Sequence, residues 1–167
     1  MKMQNKSMIR FTGLSAVVLF IAVILTSCGG EGGGLSGTTA TLRTTTSSAL
    51  TITVSLSGNQ EVPPVTTAGV GSAVLSVNFA SGALSGTVSF TGLSSVATAA
   101  HIHEGAAGVN GLIIIPLAGG IGLTSGTWIV PAGTVLTAAQ LTALQAGGLY
   151  VQIHSVIFPG GEIRGQL

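Results

Sequence analysis

The chain has 167 residues, of which 46% are hydrophobic and only 5% charged, with a formal net charge of +1. That length fits a single domain with a tail, and the charged fraction is far below the roughly 25% of an ordinary soluble domain. Asp is absent, which excludes calcium loops of the EF-hand kind. The few cations exclude a nucleic-acid partner, because neutralising phosphates takes clustered Lys and Arg.

The first segment of the chain is a leader. Lys2, Lys6 and Arg10 precede an apolar run from Phe11 to Leu25, and Leu25-Thr26-Ser27-Cys28 is followed by Gly29 and Gly30. A positive start, an apolar core and small residues before a cut describe a secretory signal over residues 1–27. The last four residues of that stretch resemble a lipobox, which implies cleavage before Cys28 and a lipid on its thiol. A transmembrane anchor is the competing reading, since the apolar run is near the lower limit of about 17 residues for a span. Cys28 is the only cysteine, so no internal disulfide can form. Removal of the leader leaves Arg43 and Arg164 against Glu31, Glu61, Glu104 and Glu162, a slightly acidic mature chain.

Two or more acyl chains hold a protein stably on a bilayer. The expected partner of Cys28 is therefore a membrane, and the expected location is extracytoplasmic. No Asp follows Cys28, and the lipoprotein resemblance then implies the outer membrane where one exists, and otherwise the outer face of the cytoplasmic membrane. Residues 28–49 are rich in Gly, Thr and Ser and lack an apolar period, so they read as a flexible tether. About 20 such residues span about 25 Å as a random coil.

From Leu50 the hydrophobic period becomes two. Leu50 to Leu56 alternates, as does Val70 to Phe79, with Ala73, Leu75, Val77 and Phe79 on one face; Leu84 to Phe90 follows a turn at Ala80-Ser81-Gly82. Leu112–Leu117 reads as a buried strand and Thr127–Val130 as a short one holding the only Trp. Short strands punctuated by Gly turns predict an all-β antiparallel sandwich or barrel. One short helix is expected: Thr137 and Gln140 have the spacing of a capping box, Leu141 and Leu144 form its buried stripe, and Gly147 is placed for its C-terminal cap. Strands at Leu149–His154 and Glu162–Leu167 complete the pattern, the last after a Pro159-Gly160-Gly161 turn.

Four phrases in order, Leu56–Pro64 (LSGNQEVPP), Ala99–Gly105 (AAHIHEG), Gly148–His154 (GLYVQIH) and Pro159–Gln166 (PGGEIRGQ), resemble the CHRD domain, the chordin-type domain of exported proteins. The resemblance covers residues 50–167. It implies an immunoglobulin-like, Greek-key β-sandwich and a binding or structural module, not a defined activity. The chain differs in having Glu104 after His103 and Phe158 before Pro159; the first adds a candidate ligand.

All three histidines fall within these phrases. His101 and His103 are two apart on a strand and so share a face, opposite Ile102. Tyr150, Gln152 and His154 share a second polar face, and Glu162, Arg164 and Gln166 a third. Three imidazoles with an open position make a metal-ligand count suited to copper or zinc, so His101, His103 and His154 are candidate ligands beside a polar cluster of Glu104, Glu162 and Arg164. The preferred reading is a hydrogen-bonded patch that knits three strands, with Glu162 pairing Arg164, since a fixed cation beside a metal is unfavourable unless a carboxylate neutralises it. The His-x-His phrase is similar to that of copper-zinc superoxide dismutase, whose remaining ligands and disulfide are missing here; a redox enzyme is accordingly the least favoured reading. No nucleophile constellation stands out, and Asp is not available to complete a triad. The expected role is a membrane-anchored binding or structural module of the cell envelope with an extracellular or envelope protein partner, not an enzyme; the alternative is a copper or zinc protein. Glu61-Val62-Pro63-Pro64 reads as a stiff polar loop.

Overall fold

The computed structural model describes residues 49–167. The leader, Cys28 and the tether as far as residue 48 lie outside the described residues.

Among the described residues, nine strands form one antiparallel sheet in the order β5-β4-β8-β9-β1-β2-β3-β7-β6. They are β1 (Ala49–Ser57), β2 (Val70–Asn78), β3 (Leu84–Thr91), β4 (Ala97–Glu104), β5 (Leu112–Pro116), β6 (Ala118–Gly119), β7 (Gly126–Ile129), β8 (Leu149–Ser155) and β9 (Ile163–Gln166). The expected all-β antiparallel class is what the chain adopts, curled nearly into a barrel around one core. Alternation is the reason: Ala73, Leu75 and Val77 of β2, Val88 and Phe90 of β3, Ile102 of β4, and Val151 and Ile153 of β8 all turn inward and are buried. Trp128 of β7 is 1% exposed and packs against Phe90.

β1 and β2 pair from Ala49↔Asn78 to Ser57↔Val70, whereas β1 meets β9 through the single pair Ser57↔Arg164. The sheet is thereby two halves, β5-β4-β8-β9 and β1-β2-β3-β7-β6, joined at a narrow seam. The opposite ends of the strand order, β5 and β6, are consecutive in the chain and separated only by Leu117, whose N–H donates to the Ala100 carbonyl and continues the β4–β5 ladder.

The helix α1 (Ala138–Gln145) has the expected capping box, with Thr137 and Gln140 bonded reciprocally. Gly147, at φ +67°, ends it: its N–H donates to Leu144 and that of Gly148 to Ala143, a left-handed cap that glycine reaches without strain. Leu144 is buried and Leu141 packs against the core. The cap hands the chain directly to β8. Strand β9 begins at Ile163 rather than Glu162, and this one-residue difference matters for the site.

Candidate metal centre

Register brings the polar faces of β4, β8 and β9 together. His101 lies opposite Gln152, His103 opposite Tyr150 and Ala99 opposite His154, while Gln152 lies opposite Arg164 and Tyr150 opposite Gln166. One nitrogen from each of His101, His103 and His154 lies within 4.8 Å of the other two. His101 Nδ1 and His154 Nε2 are 3.1 Å apart, close to the spacing of about 3.3 Å that two nitrogens adopt on a tetrahedral ion with bonds of about 2.05 Å.

The imidazoles are oriented from behind. His103 Nδ1 donates to the Gly111 carbonyl at 3.1 Å, and Gly111 N–H donates to Tyr150 Oη at 3.0 Å. A side chain at Gly111 would collide with the Glu104 carbonyl, so glycine is required there. His154 Nδ1 donates to the Pro159 carbonyl at 3.1 Å. A ring nitrogen that gives its proton to a carbonyl leaves the other nitrogen with a free lone pair, the usual support of a metal-binding His. His103 Nε2 is buried and has no hydrogen-bond partner, an arrangement that costs free energy unless something accepts that lone pair.

Burial favours the neutral form of all three rings. Burial pushes His154 down to about 4, with His101 and His103 adding to the shift and the Pro159 carbonyl opposing it. Burial likewise lowers His103, where the Gly111 carbonyl opposes it and His101 and Arg164 reinforce it, and it lowers His101. Neutral imidazole is the form that binds metal.

Arg164, 1% exposed, stands behind this site. Its guanidinium carbon is 3.5 Å from the centre of the Tyr150 ring, and Tyr150 stacks on His103 at 4.8 Å and 10°. The order is therefore cation, phenol, imidazole. The guanidinium also donates to the carbonyls of Val109 (3.1 Å) and Ala106 (3.0 Å) and to Gln166 Oε1 (2.8 Å).

The expected pairing of Arg164 with Glu162 is not made: Glu162 lies one residue before β9, and the two side chains take different partners. The Glu162 carboxylate accepts from Thr67 Oγ1 and Ser94 N–H, both at 2.6 Å. Burial would raise this carboxyl, but bonds from Ser155, Thr67 and Ser94 hold it below the ordinary value. Glu104 is exposed; it is one residue out of phase with His101 and His103 and is not part of the three-histidine group.

The acidic neighbour on this face is Glu61, which sequence reasoning placed in a polar loop. It is 4% exposed and its Oε2 accepts from Gln152 Nε2, which also donates to the Gly160 carbonyl. Burial pushes Glu61 up to about 7 against the opposing influence of Gln152 and Arg164. Its loop is tied to the 105–111 loop by Asn110 Nδ2, which donates to the Val62 carbonyl at 2.7 Å. No local signal marks Glu61 as buried, because its partner Gln152 lies 91 residues away.

Fold and site thus define a small antiparallel β domain whose polar strand face, roofed by two loops, gathers three imidazoles. The chain belongs to the CHRD domain family, whose family model matches residues 52–167. Membership points to a binding or structural module. No curated protein and no solved structure matches the chain.

Proposed function

We propose that this chain is an exported, lipid-anchored CHRD protein whose domain binds a copper or zinc ion through His101, His103 and His154. The observation that carries the reading is convergence: three imidazole nitrogens within 4.8 Å, two of the rings oriented by backbone carbonyls. A patch serving only to knit strands would leave no reason for the unpartnered, buried Nε2 of His103. Arg164 is set back from the imidazoles, because the Tyr150 ring lies between its guanidinium and His103, and its donors are taken by neighbouring acceptors. Titrating the purified mature chain with Cu(II) and with Zn(II) tests this reading. One tightly held equivalent is expected, lost in a His103→Ala, His154→Ala double variant; equal uptake by that variant rules the site out.

The anchor rests on the Lys2-to-Cys28 pattern. Mass spectrometry of the mature N-terminus should find a lipid-modified Cys28, and Cys28→Ala should release the protein from membranes. Among the described residues no helix is long and apolar enough to cross a membrane.

One observation also favours an envelope protein partner. Val96, Ile121, Leu123, Val156 and Ile157 are all exposed, and their loops are joined by the Val156-to-Val96 and Ala97-to-Leu123 backbone bonds. A partner that disappears from cross-linked envelope extract on Ile121→Ser with Ile157→Ser would support that role.

A further inference from the structure

We propose that His101 is the exchangeable ligand of this site, and that the ion is taken up and given away through it while His103 and His154 hold their places. The inference rests on the metal-binding reading above and adds a division of labour among the three imidazoles.

The asymmetry lies in what holds each ring. His103 is 6% exposed, bonded to Gly111, stacked on Tyr150, and backed through Tyr150 by Arg164. Tyr150 also grips the Gly111 N–H, so ring and carbonyl are fixed by one residue. His154 is bonded to Pro159, in a turn held by Gln152 on the Gly160 carbonyl and by Gly161 N–H on Phe158. His101 has no such support. Its one hydrogen bond among the described residues joins Nδ1 to His154 Nε2, and it sits opposite Pro116 of β5, the strand at the end of the sheet order.

The direction of that bond follows from its neighbours. His154 gives its Nδ1 proton to Pro159 and therefore accepts at Nε2, so the donor is His101 Nδ1–H. This contact joins two would-be ligands. When an ion arrives, that contact breaks. The Nδ1 proton of His101 passes to solvent, Nε2 of the same ring takes one proton from solvent, and the freed Nδ1 lone pair joins those of His154 and His103 on the metal. Release runs the same steps backwards, with no net change in protons. The His154 lone pair always has a partner, proton or metal, so leaving is compensated. Such a site suits a labile ion that is received and passed on, and contrasts with structural zinc, where a closed ligand set supplies folding energy.

The test uses the mature chain and its His101→Ala, His103→Ala and His154→Ala variants, with Cu(II) and Zn(II) as probes. Affinity is read by competition with a chromophoric chelator, and release by stopped-flow transfer to it. His101→Ala is expected to keep one bound equivalent, with affinity lower by about 100-fold or more, since losing a ligand costs at least as much as losing a ligand's outer-shell support, and with faster release. Electron paramagnetic resonance of bound Cu(II) should lose one nitrogen coupling. His103→Ala and His154→Ala should lose stoichiometric binding. If His103→Ala lacks a cooperative melt, His154→Gln, at a less buried ring, carries the comparison. A wild-type chain that binds neither ion sinks the metal reading itself. Wild-type binding with His101→Ala as inactive as the other variants, or with unchanged affinity and release, overturns the division of labour alone.

Discussion

The β2–β3 hairpin and the β4-β8-β9 group are built on the same alternation and treat their polar faces in opposite ways. On β3 the outward residues Ser85, Thr87 and Ser89 are exposed. On β4, β8 and β9 the outward residues His103, Tyr150, Gln152 and Arg164 are each 6% exposed or less. The loops around Glu61 and Gly111 make the difference. Burying polar groups is costly unless each finds a partner, and this face supplies nearly every one, from the carbonyls of Ala106, Val109, Gly111, Pro159 and Gly160. The two buried atoms without a partner here are Glu61 Oε1 and His103 Nε2. A polar strand face in water tolerates change; one under a roof is a site or a liability.

Substitutions sharpen that contrast. The largest effect is expected for Arg164→Ala, which strands the Ala106 and Val109 carbonyls and removes the support of Tyr150. A loss of about 3 kcal/mol or more should appear in urea unfolding. Arg164→Lys should recover little of it, because an ammonium does not stack flat on a phenol while reaching several spread acceptors.

The pH dependence comes next, and its two contributions oppose each other. Glu61 has its folded value raised from 4.5 to about 7, so the folded state holds an extra proton between them. Its contribution is full below 4.5 and is lost as pH rises through 7. His154 has its folded value lowered from 6.5 to about 4, so its contribution is present above 6.5 and is lost as pH falls towards 4. Thermal melts across this range should show Glu61→Gln rising more steeply in stability with pH than the parent and exceeding it at pH above 7. His154→Gln should lose the acid-side decline. Parallel profiles for parent and variants would contradict both assignments.

Smaller effects follow outside the roofed face. Thr137→Ala removes the helix cap and should cost about 1 kcal/mol. Thr87→Ala, on the open face of β3, should stay within about 0.5 kcal/mol, whereas a loss as large as that of Arg164→Ala would erase the contrast.

Much of the fold was legible because alternation is a local signal. Val70–Asn78, Leu84–Thr91 and Leu149–Ser155 form strands close to where the period predicts them, and Thr137 with Gln140 announces the helix. The convergence of His101, His103 and His154 was legible from parity together with the assumption that their strands are neighbours. The expected Glu162–Arg164 pairing failed because Glu162 lies outside the strand that begins at Ile163, and Thr67 and Ser94 take its carboxylate instead, partners that no local pattern announces. The roles of Glu61 and Gly111 were hidden, since each depends on a side chain 39 to 91 residues distant.

The narrow seam at Ser57 and Arg164 has a consequence for how the molecule comes into being. Neither half of the sheet is continuous in the chain: β1 to β3 build one half, β4 and β5 the other, β6 and β7 return to the first, and β8 and β9 to the second. No half can be finished and set aside while the rest is awaited. Loops must close before distant strands repay the entropy, and topologies of this kind fold over roughly milliseconds to seconds. His101 and His154 meet across 53 residues, so the three imidazoles assemble only after that closure. On the metal-binding reading proposed above, an ion would arrive too late to nucleate the fold, and its capture would be a sign that folding has already succeeded.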